Sequence, residues 1–256
     1  MRRGVPHHRW NFNEDKMKKL FTGFALAFSM LSIIPFFKVH DFYKGINGYA
    51  VLSYPLVGFI LGGILYLTHM MLSPYLPSVH LSIIIFGLWV LITGALHLDG
   101  FSDTLDGLFV KKERALEVMK DPHAGGMGMI FTVTFLLLKA SSLAYMELFY
   151  LLPIIMMLSR FNAVIAIYLF DYVSPNGMST LAKEEFSKKH FIFSILFVLS
   201  IIVFYESYTL LLASLATLWL LQLFFNKRYG GFTGDIYGFS IEVTELILLN
   251  IVILSL

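Results

Sequence analysis

Eight apolar stretches divide this chain, near residues 21–37, 49–72, 80–97, 129–147, 149–170, 191–206, 208–225 and 239–256. A helix needs about 20 apolar residues to cross the hydrocarbon core of a bilayer. The stretches 49–72 and 149–170 reach that length, whereas 21–37, 191–206 and 208–225 fall short. No strand-like alternation or hairpin signal competes, so the expectation is an all-α, polytopic transmembrane helical bundle. It would hold about seven spanning helices, plus a re-entrant or interfacial N-terminal segment over 21–37, where the run is short and contains Pro35. Composition agrees. Only 14% of residues are charged and 57% are hydrophobic, against about 25% charged in soluble domains. The chain has no cysteine, which excludes disulfides, thiolate metal sites and thiol nucleophiles together. A net charge of +2 gives no reason to expect a nucleic-acid partner.

Lys16, Lys18 and Lys19 followed by the apolar run from Phe21 look like a signal peptide, but no small-residue cleavage site follows, so the segment is expected to be retained. Residues 1–16 are polar and aperiodic and are expected to form a disordered tail ahead of a single membrane domain, 17–256. Charge orients the bundle. If 98–128 is cytoplasmic, counting spans places 38–48, 171–190 and 226–238 on the same side. That side carries every loop Lys and Arg from Lys38 onward, while the opposite turns carry only Glu147 and Glu206. This is the positive-inside bias.

The polar loops also carry the chemistry. In HLDGFSDTLDG, residues 97–107, Asp99, Asp103 and Asp106 are spaced by four and three. On a helix they fall within about 60° of one another. Such a stripe repels itself and suits a hard cation with oxygen ligands; the alternative is a solvated acidic helix end. Gly100 and Gly107 would let a bulky ligand approach the backbone. His97 is open between capping, substrate contact, a general-base role and plain structure. MKDPHAGGMG, residues 119–128, offers Asp121 as a further ligand, Lys120 nearby, and a glycine turn at Gly125 whose backbone N–H groups could face an anion. In GGFTGDIYGFSIEVTE, residues 230–245, Asp235, Glu242 and Glu245 share a stripe. Carboxylates inside a span are functional by default, unless these balance Lys227 and Arg228. Lys139 and Arg160 lie within spans and either meet phosphate or pair with buried acids. The loop 174–186 suits a lid or substrate contact.

Taken in order, HLDGFSDTLDG, ALEVMKDPHAGGMG and GGFTGDIYGFSIEVTE, with SIIPFF and SYPLVGFILGG upstream, resemble the cobalamin synthase (adenosylcobinamide-GDP ribazoletransferase) family from about Leu20 to the C-terminus. The family commonly has Ala at Ser102 and Leu-Gly-Ala at Tyr237-Gly238-Phe239, and neither departure removes a carboxylate. The resemblance implies a Mg²⁺-dependent inner-membrane enzyme with its active site facing the cytoplasm. Residues 17–256 would then be a catalytic domain. The enzyme would join adenosylcobinamide-GDP to α-ribazole or α-ribazole 5′-phosphate with release of GMP, the ribazole 5′-hydroxyl attacking the phosphorus attached to cobinamide. On that reading Asp99, Asp103 and Asp106 bind metal, joined by Asp121 or Asp235. One of His97, Glu242 and Glu245, or Asp103 itself, serves proton transfer, while Lys120, Arg160 and the turn at Gly125 meet phosphate. The partners would be these substrates and the bilayer, with self-association left open. Two rivals remain. A CDP-alcohol phosphotransferase would show a differently spaced aspartate motif with an Ala-Arg step. An ion-coupled transporter would spread its acids through the midplane, often with internal repeats.

Overall fold

The computed structural model describes residues 12–34, 43–121, 123, 125–174 and 179–255, with side chains from Lys16 onward. These residues form eleven helices: α1 (Phe12–Leu31), α2 (Ile46–Leu72), α3 (Ser78–Thr93), α4 (Leu96–Leu108), α5 (Lys112–Val118), α6 (Gly126–Tyr145), α7 (Leu152–Leu169), α8 (Ser179–Glu185), α9 (Lys188–Tyr205), α10 (Tyr208–Tyr229) and α11 (Gly234–Leu254). Among the described residues the only extended pairing is an isolated parallel bridge between Tyr172 and Phe232. Helices α2, α6, α7, α9, α10 and α11 are long and apolar enough to cross a membrane, and α3 with α4 makes a seventh candidate bent by 85°. The chain is a multi-pass helical bundle. Of the expected tail, residues 1–11 lie outside the described residues, and the chain is already helical from Phe12.

Burial ranks the helices. The stretch containing α7 is 89% buried, against 17% for α9 and 28% for α10. Helix α7 is therefore the axis, and α9 and α10 turn most of their surface to lipid. Association in lipid favours small residues that let backbones close up. In α2 a Cβ at Gly58 would stand 2.3 Å from the Met156 carbonyl oxygen, and one at Gly62 2.5 Å from Pro153 Cα. Buried polar side chains find partners across helices. Asn162 on α7 donates to the Ser214 carbonyl and to Thr244 Oγ1, both at 3.0 Å, which ties α7 to α10 and α11.

Helix α1 runs parallel to α2. Lys18 lies over the Tyr43 ring, Gly23 packs on Tyr49, and the Tyr54 hydroxyl approaches Met30 Sδ. Both helices therefore start at the same end of the bundle. Of the segment 21–37 expected to be re-entrant or interfacial, residues 35–37 lie outside the described residues, and α1 is not among the helices long and apolar enough to cross a membrane. The tip is fastened by the Ile33 N–H, which donates to the Ile92 carbonyl at 2.9 Å.

The apolar run 80–97 is not one helix. Helix α3 stops at Gly94 (φ +63°) and Ala95 (φ +54°), two consecutive left-handed residues, after which α4 sets off at 85°. For Ala that conformation costs about 1–2 kcal/mol, which the surrounding contacts offset. Helix α4 then lies close against the start of α11. A Cβ at Gly100 would be 2.9 Å from the Asp235 carbonyl oxygen, and one at Gly238 would be 3.1 Å from that of His97. The expectation that Gly107 leaves room for a ligand is corrected here, because that side is filled by the Met119 side chain. Gly100 lies against the α11 backbone and also lines the cavity described below. Phe101, Phe135 and Phe239 close the α4–α6–α11 junction, with ring centroids 4.3 and 5.0 Å apart.

Candidate active site

The break after α3 brings the first and third motifs together. Asp99 and His97 from α4 and Asp235 from the first turn of α11 line one cavity of about 280 Å³. Its other walls include Met30 and Leu31 at the tip of α1, Ser179 at the start of α8, and Tyr237. Thr233 caps α11 by accepting the Ile236 N–H at 3.2 Å, which fixes the turn that carries Asp235. Asp103 is half-buried one turn along α4, in the field of Asp99, Asp235 and Asp106. The set is all oxygen, which suits a hard cation. Among the described residues no three such side chains converge as a ready-made cage.

Asp106 has a different surrounding. Its carboxylate accepts the backbone N–H of Gly125 at 2.8 Å and of Gly128 at 2.7 Å. Those are orphan donors at the start of α6, so the anion that faces the glycine turn is the chain's own Asp106. A Cβ at Gly125 or Gly128 would fall within 2.4 Å of that carboxylate, which explains the glycines. Asp121 stands apart, more than half exposed, and its carboxylate accepts the His123 backbone N–H at 3.0 Å. That bond, with the His123 ring 2.7 Å away, holds its carboxyl below the usual carboxylate range. Lys120 is exposed, and its charge acts on Asp235.

Glu242 and Glu245 do not line the cavity. Lys139 Nζ donates to Glu242 Oε2 at 2.7 Å and also to Glu245 Oε2, Arg160 Nη1 donates to Glu245 Oε1, and all four side chains are almost completely buried. Ser159 Oγ adds a bond to Glu245 at 3.2 Å, and the Lys139 ammonium sits 4.3 Å from the centre of the Trp89 ring. Two acids and two bases cancel, as deep burial of charge demands. Of the two readings left open, Lys139 and Arg160 therefore take the pairing with buried acids. Arg228 is not their counter-charge either. It donates from Nη2 to the Leu108 and Val110 carbonyls, capping α4 from the end of α10.

His97 belongs to both regions. Its Nδ1 lies 3.4 Å from Arg160 Nη2, and a guanidinium only donates. Nδ1 is thus the acceptor, and the ring proton sits on Nε2. Sequence spacing could not find this pairing, because it joins positions 63 residues apart. Tyr237 and Ser179 were also missed as cavity walls; the third motif contained the first, and the polar loop 174–186 the second.

Within that loop, Ser179–Glu185 form α8. Glu185 Oε2 accepts a backbone and a side-chain N–H of Asn47, both at 2.9 Å, and Lys183 Nζ donates to the Ile167 carbonyl near the end of α7 and to the Phe170 carbonyl just past it. Residues 175–178 of the expected lid lie outside the described residues. On its other side α8 walls a second pocket of about 780 Å³, which shares Met30 with the first.

The family model described as "Cobalamin-5-phosphate synthase" matches residues 23–253. A protein named adenosylcobinamide-GDP ribazoletransferase from Acinetobacter baumannii (strain ACICU) is 36% identical over 219 residues, covering 82% of this chain and 87% of its own. One of the same name from Desulfitobacterium hafniense (strain Y51) is 36% identical over 211 residues, covering 77% and 82%. Another, from Desulforamulus reducens (strain MI-1), is 32% identical over 253 residues, covering 92% and 98%. No solved structure matches.

Proposed function

The chain belongs to the cobalamin-5-phosphate synthase family, and on that premise we propose that it acts as an adenosylcobinamide-GDP ribazoletransferase in the last step of nucleotide-loop assembly. The observation that carries the reading is that Asp99 and Asp235, from two motifs 136 positions apart in sequence, line one cavity at the face where the basic loops gather. In the reaction a ribose hydroxyl oxygen of the acceptor bonds to the phosphorus that holds cobinamide. The phosphoanhydride bond breaks, GMP leaves with the electron pair, and the hydroxyl proton passes to the protein. A family named for a cobalamin 5-phosphate product has an acceptor whose 5′-oxygen is already blocked. A ring hydroxyl is therefore the nucleophile, and the 5′-hydroxyl expected from the sequence is not.

Phosphoryl transfer is mainly positioning and charge stabilisation. One or two of Asp99, Asp103 and Asp235, which do not converge as a three-carboxylate cage, would hold Mg²⁺ together with the diphosphate, whose charge it would neutralise. Asp106 braces the start of α6 and so fixes where α4 stands. With Glu242 and Glu245 engaged by Lys139 and Arg160, and with His97 Nδ1 facing Arg160, the hydroxyl proton goes to a carboxylate of the Asp99–Asp103–Asp235 group. His97 is left an Nε2–H with which to donate to the substrate. Lys120, beside Asp235, meets phosphate at the rim.

The site faces the cytoplasm from the inner membrane, in keeping with the basic loops. Because the chain has no native cysteine, single cysteines at the exposed positions Lys112 and Tyr208 should label from opposite sides. The decisive assay is GMP release by purified protein from adenosylcobinamide-GDP and α-ribazole 5′-phosphate with Mg²⁺. Absence of release would overturn the assignment.

A further inference from the structure

The cavity that holds Asp99 and Asp235 has about 280 Å³, at or below the roughly 300–1,000 Å³ of sites that enclose a small molecule. It can take the reacting phosphates but not the molecules attached to them, so each substrate must continue into neighbouring space. Two pockets adjoin it along α8. One, of about 450 Å³, is lined by Asp171, Tyr172, Val173, Thr180, Lys183 and Glu184. The other, of about 780 Å³, has an apolar floor made by Leu26, Met30, Ile46 and Leu181, with Tyr43 and Lys44 at its edge.

We propose that the larger pocket is the acceptor subsite, taking the aromatic base of α-ribazole against its apolar floor, with Lys44 at its edge reading the 5′-phosphate. This rests on the ribazoletransferase reading and goes beyond it by saying where the second substrate sits. Three observations carry it. The volume is ample for an aromatic nucleoside, and the floor has the right chemistry for a bicyclic base with little hydrogen-bonding capacity. Met30 is a wall of both spaces, so a nucleoside lying in the pocket has its ribose at the edge of the reaction cavity. Lys44 is the one cation among the residues that line the pocket. Asn47 is held to Glu185 through its backbone N–H and one side-chain N–H, so its second side-chain N–H and its Oδ1 are not engaged by that bond. Glu184 leaves a carboxylate at the rim for a ribose hydroxyl. Lys44 is exposed there and carries the opposite charge to a phosphate.

Steady-state kinetics with both substrates test the proposal. Leu181→Trp narrows the pocket from α8, and the KM for α-ribazole 5′-phosphate should rise at least tenfold more than the KM for adenosylcobinamide-GDP. Lys44→Ala should lower the preference for α-ribazole 5′-phosphate over α-ribazole about fivefold, the scale of one exposed charge pair. An equal rise in both KM values in Leu181→Trp, or none, would overturn the subsite, as expected if lipid or water fills the pocket. An unaltered preference in Lys44→Ala would overturn the assignment of the phosphate end. If wild type releases no GMP, the ribazoletransferase reading itself fails and takes the subsite with it. An active wild type whose variants show no split refutes the subsite alone.

Discussion

Arg160 Nη2 lies 3.4 Å from His97 Nδ1, and this contact joins the buried charge cluster to the wall of the reaction cavity. Because the guanidinium has no acceptor, the contact selects one imidazole tautomer. Heteronuclear NMR on ring-¹⁵N-labelled protein is expected to show His97 with a bare Nδ1 and a protonated Nε2. A proton on Nδ1 would show that Arg160 is not its partner. Arg160→Gln should release the tautomer preference and lower kcat more than it raises KM.

The cluster itself predicts a large stability effect. Glu245 holds both Lys139 and Arg160, so Glu245→Gln leaves two buried cations facing one carboxylate. Removing one partner of a buried pair costs about 3–5 kcal/mol. The thermal midpoint in detergent should fall steeply, whereas the paired substitution Lys139→Met with Glu242→Gln should cost less than the sum of its parts. Additive losses would mean that the two side chains do not interact.

Backbone contact between α4 and α11 gives a third test. A methyl group at Gly238 would stand 3.1 Å from the His97 carbonyl oxygen and 3.3 Å from its Cα, and neither is a flexible side-chain end. Gly238→Ala is expected to cost about 1–3 kcal/mol and to move His97 and Asp99 relative to Asp235, lowering GMP release. Gly63→Ala, with nothing within 4 Å, is the matched control and should be neutral.

The acidic residues should separate into two classes. Asp99→Asn and Asp235→Asn are expected to reduce GMP release by about 10²-fold or more with little change in stability. Asp106→Asn, which loses one of two accepted N–H bonds at the start of α6, should cost about 1 kcal/mol of stability. Chelation with EDTA should abolish turnover in wild type and Mg²⁺ should restore it. Full activity in Asp99→Asn would remove the cation site as drawn.

Much of this architecture was legible in the sequence, for definite reasons. Apolar length is a one-dimensional signal, so the multi-pass helical bundle could be read directly. Helical spacing also placed Asp99 and Asp103 together. It failed where the partner is remote in sequence. Nothing around Asp106 shows that Gly125 and Gly128 will occupy its carboxylate, and nothing around Glu242 and Glu245 points to Lys139. The role of Gly107 was misread because a glycine that admits a ligand and a glycine that admits a side chain from elsewhere in the fold look the same in one dimension. The turn at Gly94–Ala95 was missed because alanine gives no warning of a left-handed backbone.

The four-charge cluster also constrains how the chain can be made. Its two bases arrive on α6 and α7, while both acids come on α11, the last helix among the described residues. A lone cation at the centre of a spanning helix costs about 2.5–3.5 kcal/mol on insertion scales. Lys139 and Arg160 must therefore wait, through several seconds of synthesis at ribosomal rates, before their carboxylates emerge. Until then α6 and α7 gain by remaining beside the insertion machinery, where water or its polar lining can shield them. The bundle closes around its final helix, so a ribosome that stops short of α11 leaves two unneutralised helices in the membrane, marked for quality control by their exposed charge.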